Sequence, residues 1–178
     1  MKKLLTLLFS IFGIFIFSQK IVWKEGNKLF WNQFKSKQNI MKSDTTIVSY
    51  ASCGLRYTAA KDKQSNRIKI LIEATFDPSN SWKHPNKTVG LSTNHEQGHF
   101  DIAEIYARKL RKYFAENIKT EKDYQIKFKL TYQMLYGEFL VYENSYDKAT
   151  KRGTIPEKQK ELEEEIKREL KKLEAFKN

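Results

Sequence analysis

Residues 95–99 of this chain read His-Glu-Gln-Gly-His. On a helix, side chains at i and i+4 project side by side, so two imidazoles at that spacing can bring ring nitrogens to one metal ion at about 2.0–2.1 Å. They supply half of a tetrahedral site. A glutamate directly after the first histidine points about 100° round the helix, near enough to a metal-activated water to take its proton without being a ligand. With zinc as the ion, the metal lowers the pKa of the water and polarises a carbonyl, so that Glu96 need only move protons. The bland alternative is an ordinary helix start in which Glu96 closes a capping box to Thr93.

Two histidines are not a complete zinc site, and the third ligand must come from elsewhere. Glu104 follows His95 by nine residues and falls on the opposite face of a helix, and Asp101 is turned away for a similar reason. Asp147 and Glu143 are four apart and share a face, so either reaches the histidines if its helix packs antiparallel to theirs. Asp147 is placed first, then Glu143, with His84 as a third candidate from a loop. Tyr146 and Arg152, beside those carboxylates, are candidate donors to a transition-state oxyanion, as is Tyr142; as core aromatics the tyrosines need no such role. Gly98, inside the helix, costs about 1 kcal/mol relative to alanine, which implies either a close neighbour or a merely tolerated glycine.

The elements that must hold these residues follow from periodicity. From residue 91 onward, His95, His99, Ile102, Ala103, Tyr106, Leu110 and Tyr113 form one stripe at steps of three and four, predicting a helix to about Asn117 with Arg108, Lys109, Arg111 and Lys112 outside. A second helix begins with the pair Thr120 and Asp123 and carries Tyr124, Phe128, Thr131, Leu135, Phe139, Tyr142 and Tyr146, although alternation from Ile126 to Tyr132 also permits a strand. After Gly153 and Pro156, a third helix shows a narrow seam of Leu162, Ile166, Leu170 and Leu173. Upstream, Ile68, Ile70, Ile72, Ala74 and Phe76 alternate with more exposed types, the pattern of a strand with one face on a core. Strand-like runs at 21–23, 28–31 and 45–50 precede it, and a loop is expected from Asp77 to about residue 89. The fold class is therefore α+β, an N-terminal antiparallel sheet packed against the histidine helix, a second long helix and a C-terminal amphipathic helix.

The first residues are Met1-Lys2-Lys3, followed by an apolar run from Leu4 to Phe17 and by Ser18-Gln19. This reads as a signal peptide, residues 1–18, cleaved near Ser18 and followed by a single zincin-like domain at 19–178 that works in the periplasm or outside the cell. Cys53 is the only cysteine, so no internal disulfide stabilises the chain, and its thiol reads as buried rather than nucleophilic. The net charge of +12 falls with the loss of Lys2 and Lys3, leaving 31 basic against 21 acidic residues. Such a balance suits an anionic envelope polymer or lipid surface; no nucleic-acid motif accompanies it.

Several blocks of the chain resemble a bacterial family of predicted secreted zinc-dependent proteases. They are residues 29–34 (Leu-Phe-Trp-Asn-Gln-Phe), residues 50–57 (Tyr-Ala-Ser-Cys-Gly-Leu-Arg-Tyr), Phe76 with Ser81-Trp82, the block from Asn94 to Glu104, and Tyr146-Asp147 with Thr150 and Arg152-Gly153. The resemblance implies zinc at His95 and His99, with Glu96 catalytic and a peptide or protein as substrate. Where the family places a histidine before the last glycine, this chain has Arg152, which puts activity in question. The expected function is peptide or amide hydrolysis by a zinc-activated water with Glu96 as base. The alternative is a non-catalytic module that keeps the fold and binds an envelope polyanion.

Overall fold

A computed structural model describes residues 19–37, 47–65, 67–88 and 93–178. The expected signal peptide lies outside the described residues. Among the described residues no helix is long and apolar enough to cross a membrane.

The alternating run forms strand β4 (Ile68–Phe76), as its pattern implies, with Ile72, Ala74 and Phe76 buried. It pairs antiparallel on one side with β1 (Ile21–Val22) and on the other with β3 (Cys53–Lys61), giving the sheet order β1-β4-β3. A separate two-stranded ribbon joins β2 (Ser49–Tyr50) to β5 (Trp82–Lys83), with Ser49 opposite Lys83. Strand β3 is not marked by periodicity, because its residues from Arg56 onward are exposed and its alternation of Leu55 and Tyr57 is brief. Strand β5 sits inside the expected 77–89 loop, where the backbone N–H of His84 donates to Val48 and extends the ribbon.

The expected strand at 28–31 does not form; the chain there turns through a 3₁₀ segment at Trp31–Gln33. The physical reason is that Leu29 spends both backbone groups on side chains. Its N–H donates to Gln97 Oε1 (2.8 Å), and its carbonyl accepts from Thr93 Oγ1 (2.6 Å). Thr93 is thereby withdrawn from capping, and the box with Glu96 is absent.

Helix α1 (Asn94–Asn117) is the centre of the molecule. One face meets the sheet, and others meet α2 (Glu121–Thr150) and α3 (Pro156–Lys172), so that Phe100, Ile102, Ala103, Ile105, Tyr106, Ala107, Leu110 and Phe114 are all buried. The architecture is α+β, a small antiparallel sheet against three helices. Thr120 and Asp123 do close a reciprocal capping box at the start of α2, which is helical throughout, including the stretch that alternation left open.

The expected outer face of α1 needs correction. Arg108 is buried, and Arg111 is largely so, because the chain after α3 folds across them. Glu104 accepts from Arg108 Nε (2.9 Å) and Arg111 Nη1 (2.8 Å), while the same guanidiniums donate to the carbonyls of Leu170, Phe176 and Ile72. A buried charge left without its partner costs about 3–5 kcal/mol. We therefore expect Glu104→Gln to lower the urea midpoint by an amount equivalent to about 3 kcal/mol, whereas Lys112→Gln, on the exposed remainder of that face, changes it by less than about 0.5 kcal/mol.

Candidate metal centre

Helix geometry sets the two histidine rings side by side on α1, with centroids 4.9 Å apart and planes nearly perpendicular. Helix α2 crosses them close to its C-terminus and brings Asp147 between the rings. Asp147 Oδ1 lies 3.1 Å from His95 Nε2 and 3.1 Å from His99 Nε2. These three residues form a group able to hold a metal ion. Ligand atoms of a tetrahedral ion bonded at 2.0–2.1 Å stand about 3.3 Å apart, so the spacing and the donor set of two imidazoles and one carboxylate both fit. The group is shielded but reachable, with side-chain exposures of 15%, 12% and 22% for His95, His99 and Asp147.

The remaining ring nitrogens are held from behind. His99 Nδ1 is 2.9 Å from Glu143 Oε1, and His95 Nδ1 is 3.2 Å from Gln159 Oε1. An acceptor on each Nδ1 keeps the proton there and turns the Nε2 lone pair toward the ligand position. Glu143 thus orients a ligand and is outside the three-residue group. His84 is also outside it; among the described residues its buried Nδ1 has no hydrogen-bond partner.

Tyr146 underlies the whole arrangement. Its ring stacks on His95 at 4.9 Å with planes 7° apart and meets His99 edge-on at 5.1 Å. The hydroxyl donates to the His95 carbonyl and accepts from Gln159 Nε2 at 2.6 Å, and burial pushes its pKa up. Those contacts give Tyr146 a packing and positioning role rather than that of an oxyanion donor. Tyr142 turns its hydroxyl toward Glu165 on α3, and burial first, then that carboxylate, pushes it up to about 12. Gly98 is explained by the same tyrosine, because a Cβ there would stand 2.1 Å from the Tyr146 hydroxyl oxygen. Gly153 is constrained twice, by a φ of +78° and by His95, whose Cβ a methyl would approach to 2.8 Å. The two residues before it, Lys151 and Arg152, also have positive φ, so this left-handed turn seats Gly153 against His95 and sends Arg152 back to Asp147. Arg152 Nη1 lies 3.2 Å from Asp147 Oδ2.

Glu96 is 3% exposed and accepts from Ser49 Oγ at 2.5 Å, so the β2 ribbon positions its carboxylate. Two clefts open on either side. One, of about 590 Å³, and another, of about 490 Å³, share Val48, Ser49, His95, Glu96 and Arg152. Ser49, within the strand-like run at 45–50, and Gln159 carry no functional signal in the sequence, since neither belongs to a motif. Cys53 begins β3, and its thiol is pushed well above the usual range by burial and then by the charges of Glu143 and Glu96. Comparison with family models, with curated proteins and with solved structures returns no match for this chain.

Without metal, the cluster is a proton-sharing network. Burial disfavours the charged form of His99, but the hydrogen bonds to Asp147 and Glu143 outweigh it and raise the imidazole to about 10. Burial likewise opposes the charge on Asp147, yet the two histidines and Arg152 hold its carboxyl well below the usual range. Burial raises Glu143, against the pull of His99. A raised folded pKa contributes stability below the unfolded value of 6.5 that is lost as pH climbs toward about 10. The Asp147 contribution runs the other way, present above 3.8 and lost on acidification. The metal-free protein should therefore melt at progressively lower temperature from pH 6.5 to 10, and saturating zinc should flatten that decline because deprotonated His99 is the ligand. Gly98→Ala should destabilise by about 1–3 kcal/mol in urea titration, with zinc affinity falling as Tyr146 shifts.

Proposed function

We propose that this protein is an exported zinc metallopeptidase, hydrolysing peptide or amide bonds at the His95, His99 and Asp147 site with Glu96 as general base. The observation that carries this reading is the placement of a buried carboxylate, adjacent in sequence to the first histidine, at the junction of two clefts that both reach the metal-binding group. The apolar run of residues 4–17 behind a charged start supports export, and the resemblance to predicted secreted zinc-dependent proteases supports the substrate class.

His95, His99 and Asp147 would hold the zinc, which when bound would supply Lewis acidity toward a water and a substrate carbonyl. The chain's own residues do the rest. Ser49 donates to one oxygen of Glu96, fixing the carboxylate and leaving its other oxygen to take a proton and later return it to the leaving amine. Gln159 and Glu143 hold the imidazole tautomers. Arg152 neutralises the outer oxygen of Asp147 and, half-exposed on both clefts, is the group suited to donate to the developing oxyanion. The departure at Arg152 from the resembling family thus replaces one cationic or donor group with another.

Glu96→Gln keeps an acceptor for Ser49 and removes the base. Zinc content should be unchanged, while hydrolysis of an unstructured protein such as casein should fall by about 10²–10⁴-fold. Equal hydrolysis by the variant would remove Glu96 from the mechanism, and no hydrolysis of any peptide by the zinc-loaded wild type would favour the non-catalytic module.

A further inference from the structure

Gln97 and Asp101 follow His95 and His99 by two residues each, which carries them about 200° round α1, away from the metal-binding group. There they border a second, smaller pocket of about 200 Å³. Its inner surface is made by Trp23, Gly98, Ile166 and Asp101, of which Gly98 and Ile166 are buried. It adjoins the larger of the two clefts, with Asn94, Glu163 and Lys167 bordering both. The volume is below that of pockets for drug-sized ligands and suits one side chain.

Asp101 is one of four charged residues on the lining, with Lys28, Glu163 and Lys167. Its Oδ1 accepts from Trp23 Nε1 at 2.7 Å and from Gln97 Nε2 at 2.8 Å, and Oδ2 accepts no hydrogen bond among the described residues. A carboxylate oxygen that accepts nothing from the protein is open to a cation or donor carried by a ligand. No lysine forms an ion pair with Asp101 among the described residues, and Lys28 acts on it only at longer range. Lys167 at the mouth is exposed and directs its ammonium to Glu164 at 2.8 Å, and Lys28 is exposed on the rim. The apolar side chains of Trp23 and Ile166 beside Asp101 Oδ2, with Glu163 as a second carboxylate on the lining, match an aliphatic stem ending in a cation.

We infer that this pocket receives a lysine or arginine side chain of the peptide bound in the adjoining cleft, with the ammonium or one guanidinium N–H on Asp101 Oδ2. Cleavage would then be selective for peptides with a basic residue near the scissile bond. This rests on the cleft being a peptide site, and the following test separates the two ideas.

The test titrates the full zinc-loaded protein with n-butylguanidinium and, as a neutral match, n-pentanol. Binding is followed by calorimetry and by the indole N–H resonance of Trp23. Saturable binding of the guanidinium, with a shift of the Trp23 signal, is expected. Asp101→Asn, which keeps an Oδ1 acceptor for Trp23 and Gln97, should weaken it about tenfold and leave n-pentanol unaffected. Absence of saturable guanidinium binding to the wild type, or an unmoved Trp23 resonance, would overturn the inference whether or not the variant folds. So would equal affinity in a folded Asp101→Asn protein. Hydrolysis without basic preference in a peptide mixture, together with no guanidinium binding, defeats the pocket and spares the peptidase reading. Guanidinium binding that depends on Asp101 in a protein without hydrolytic activity does the reverse.

Discussion

Two imidazoles one turn apart on a helix can each rotate about two side-chain bonds, and nothing in the helix itself makes them point together. What makes them converge here is a set of acceptors placed around both rings. Asp147 draws the two Nε2 atoms to one oxygen, while Glu143 and Gln159 hold the two Nδ1 atoms. Because these acceptors come from α2 and α3, the site exists only when all three helices are docked. The stacked ring of Tyr146 sets the distance between α1 and α2 and requires the glycine at 98. The left-handed turn through Gly153 sets where α3 begins.

The docking has its own anchor at the far end of α1. Glu104, Arg108 and Arg111 join α1 to the backbone carbonyls of α3, of the C-terminal residues and of β4. Buried ion pairs seldom add much net stability over apolar packing, but they are severe on alternatives, because any misdocking strands a charge. Nearby, Trp23 stacks beneath Arg108 and donates to Asp101, so strand β1 is tied to the same helix. α1 therefore carries the metal-binding group at one end and its alignment at the other.

Much of this was legible in the sequence. The His95, Glu96 and His99 spacing, the alternation of β4, the capping pair at Thr120 and Asp123, and the shared face of Glu143 and Asp147 are local patterns that depend on a helix or strand period alone. What was not legible depended on contacts between distant segments. Arg108 and Arg111 look like a solvated face until the chain after α3 covers them. Leu29 looks like part of a strand until Thr93 and Gln97 take its backbone groups. Ser49 sits in the strand-like run at 45–50 and Gln159 in no pattern, and only the packing of β2 and α3 against α1 reveals that one holds the Glu96 carboxylate and the other the His95 ring. Of the three candidates for third ligand, the shared face allowed either Asp147 or Glu143, with Asp147 placed first. The difference of about one turn, roughly 6 Å, in axial position along α2 decided which meets Nε2 and which meets Nδ1.

The central claim is that the shared acceptor between His95 and His99 is a metal ligand and not merely a proton acceptor. Metal analysis of the purified protein after exposure to zinc and exhaustive removal of the free ion tests it directly. About one equivalent of zinc per chain, lost when Asp147 is replaced by alanine, is the result the geometry predicts. Less than about a tenth of an equivalent in the wild type would show that the network is a buried hydrogen-bond cluster and would contradict the account.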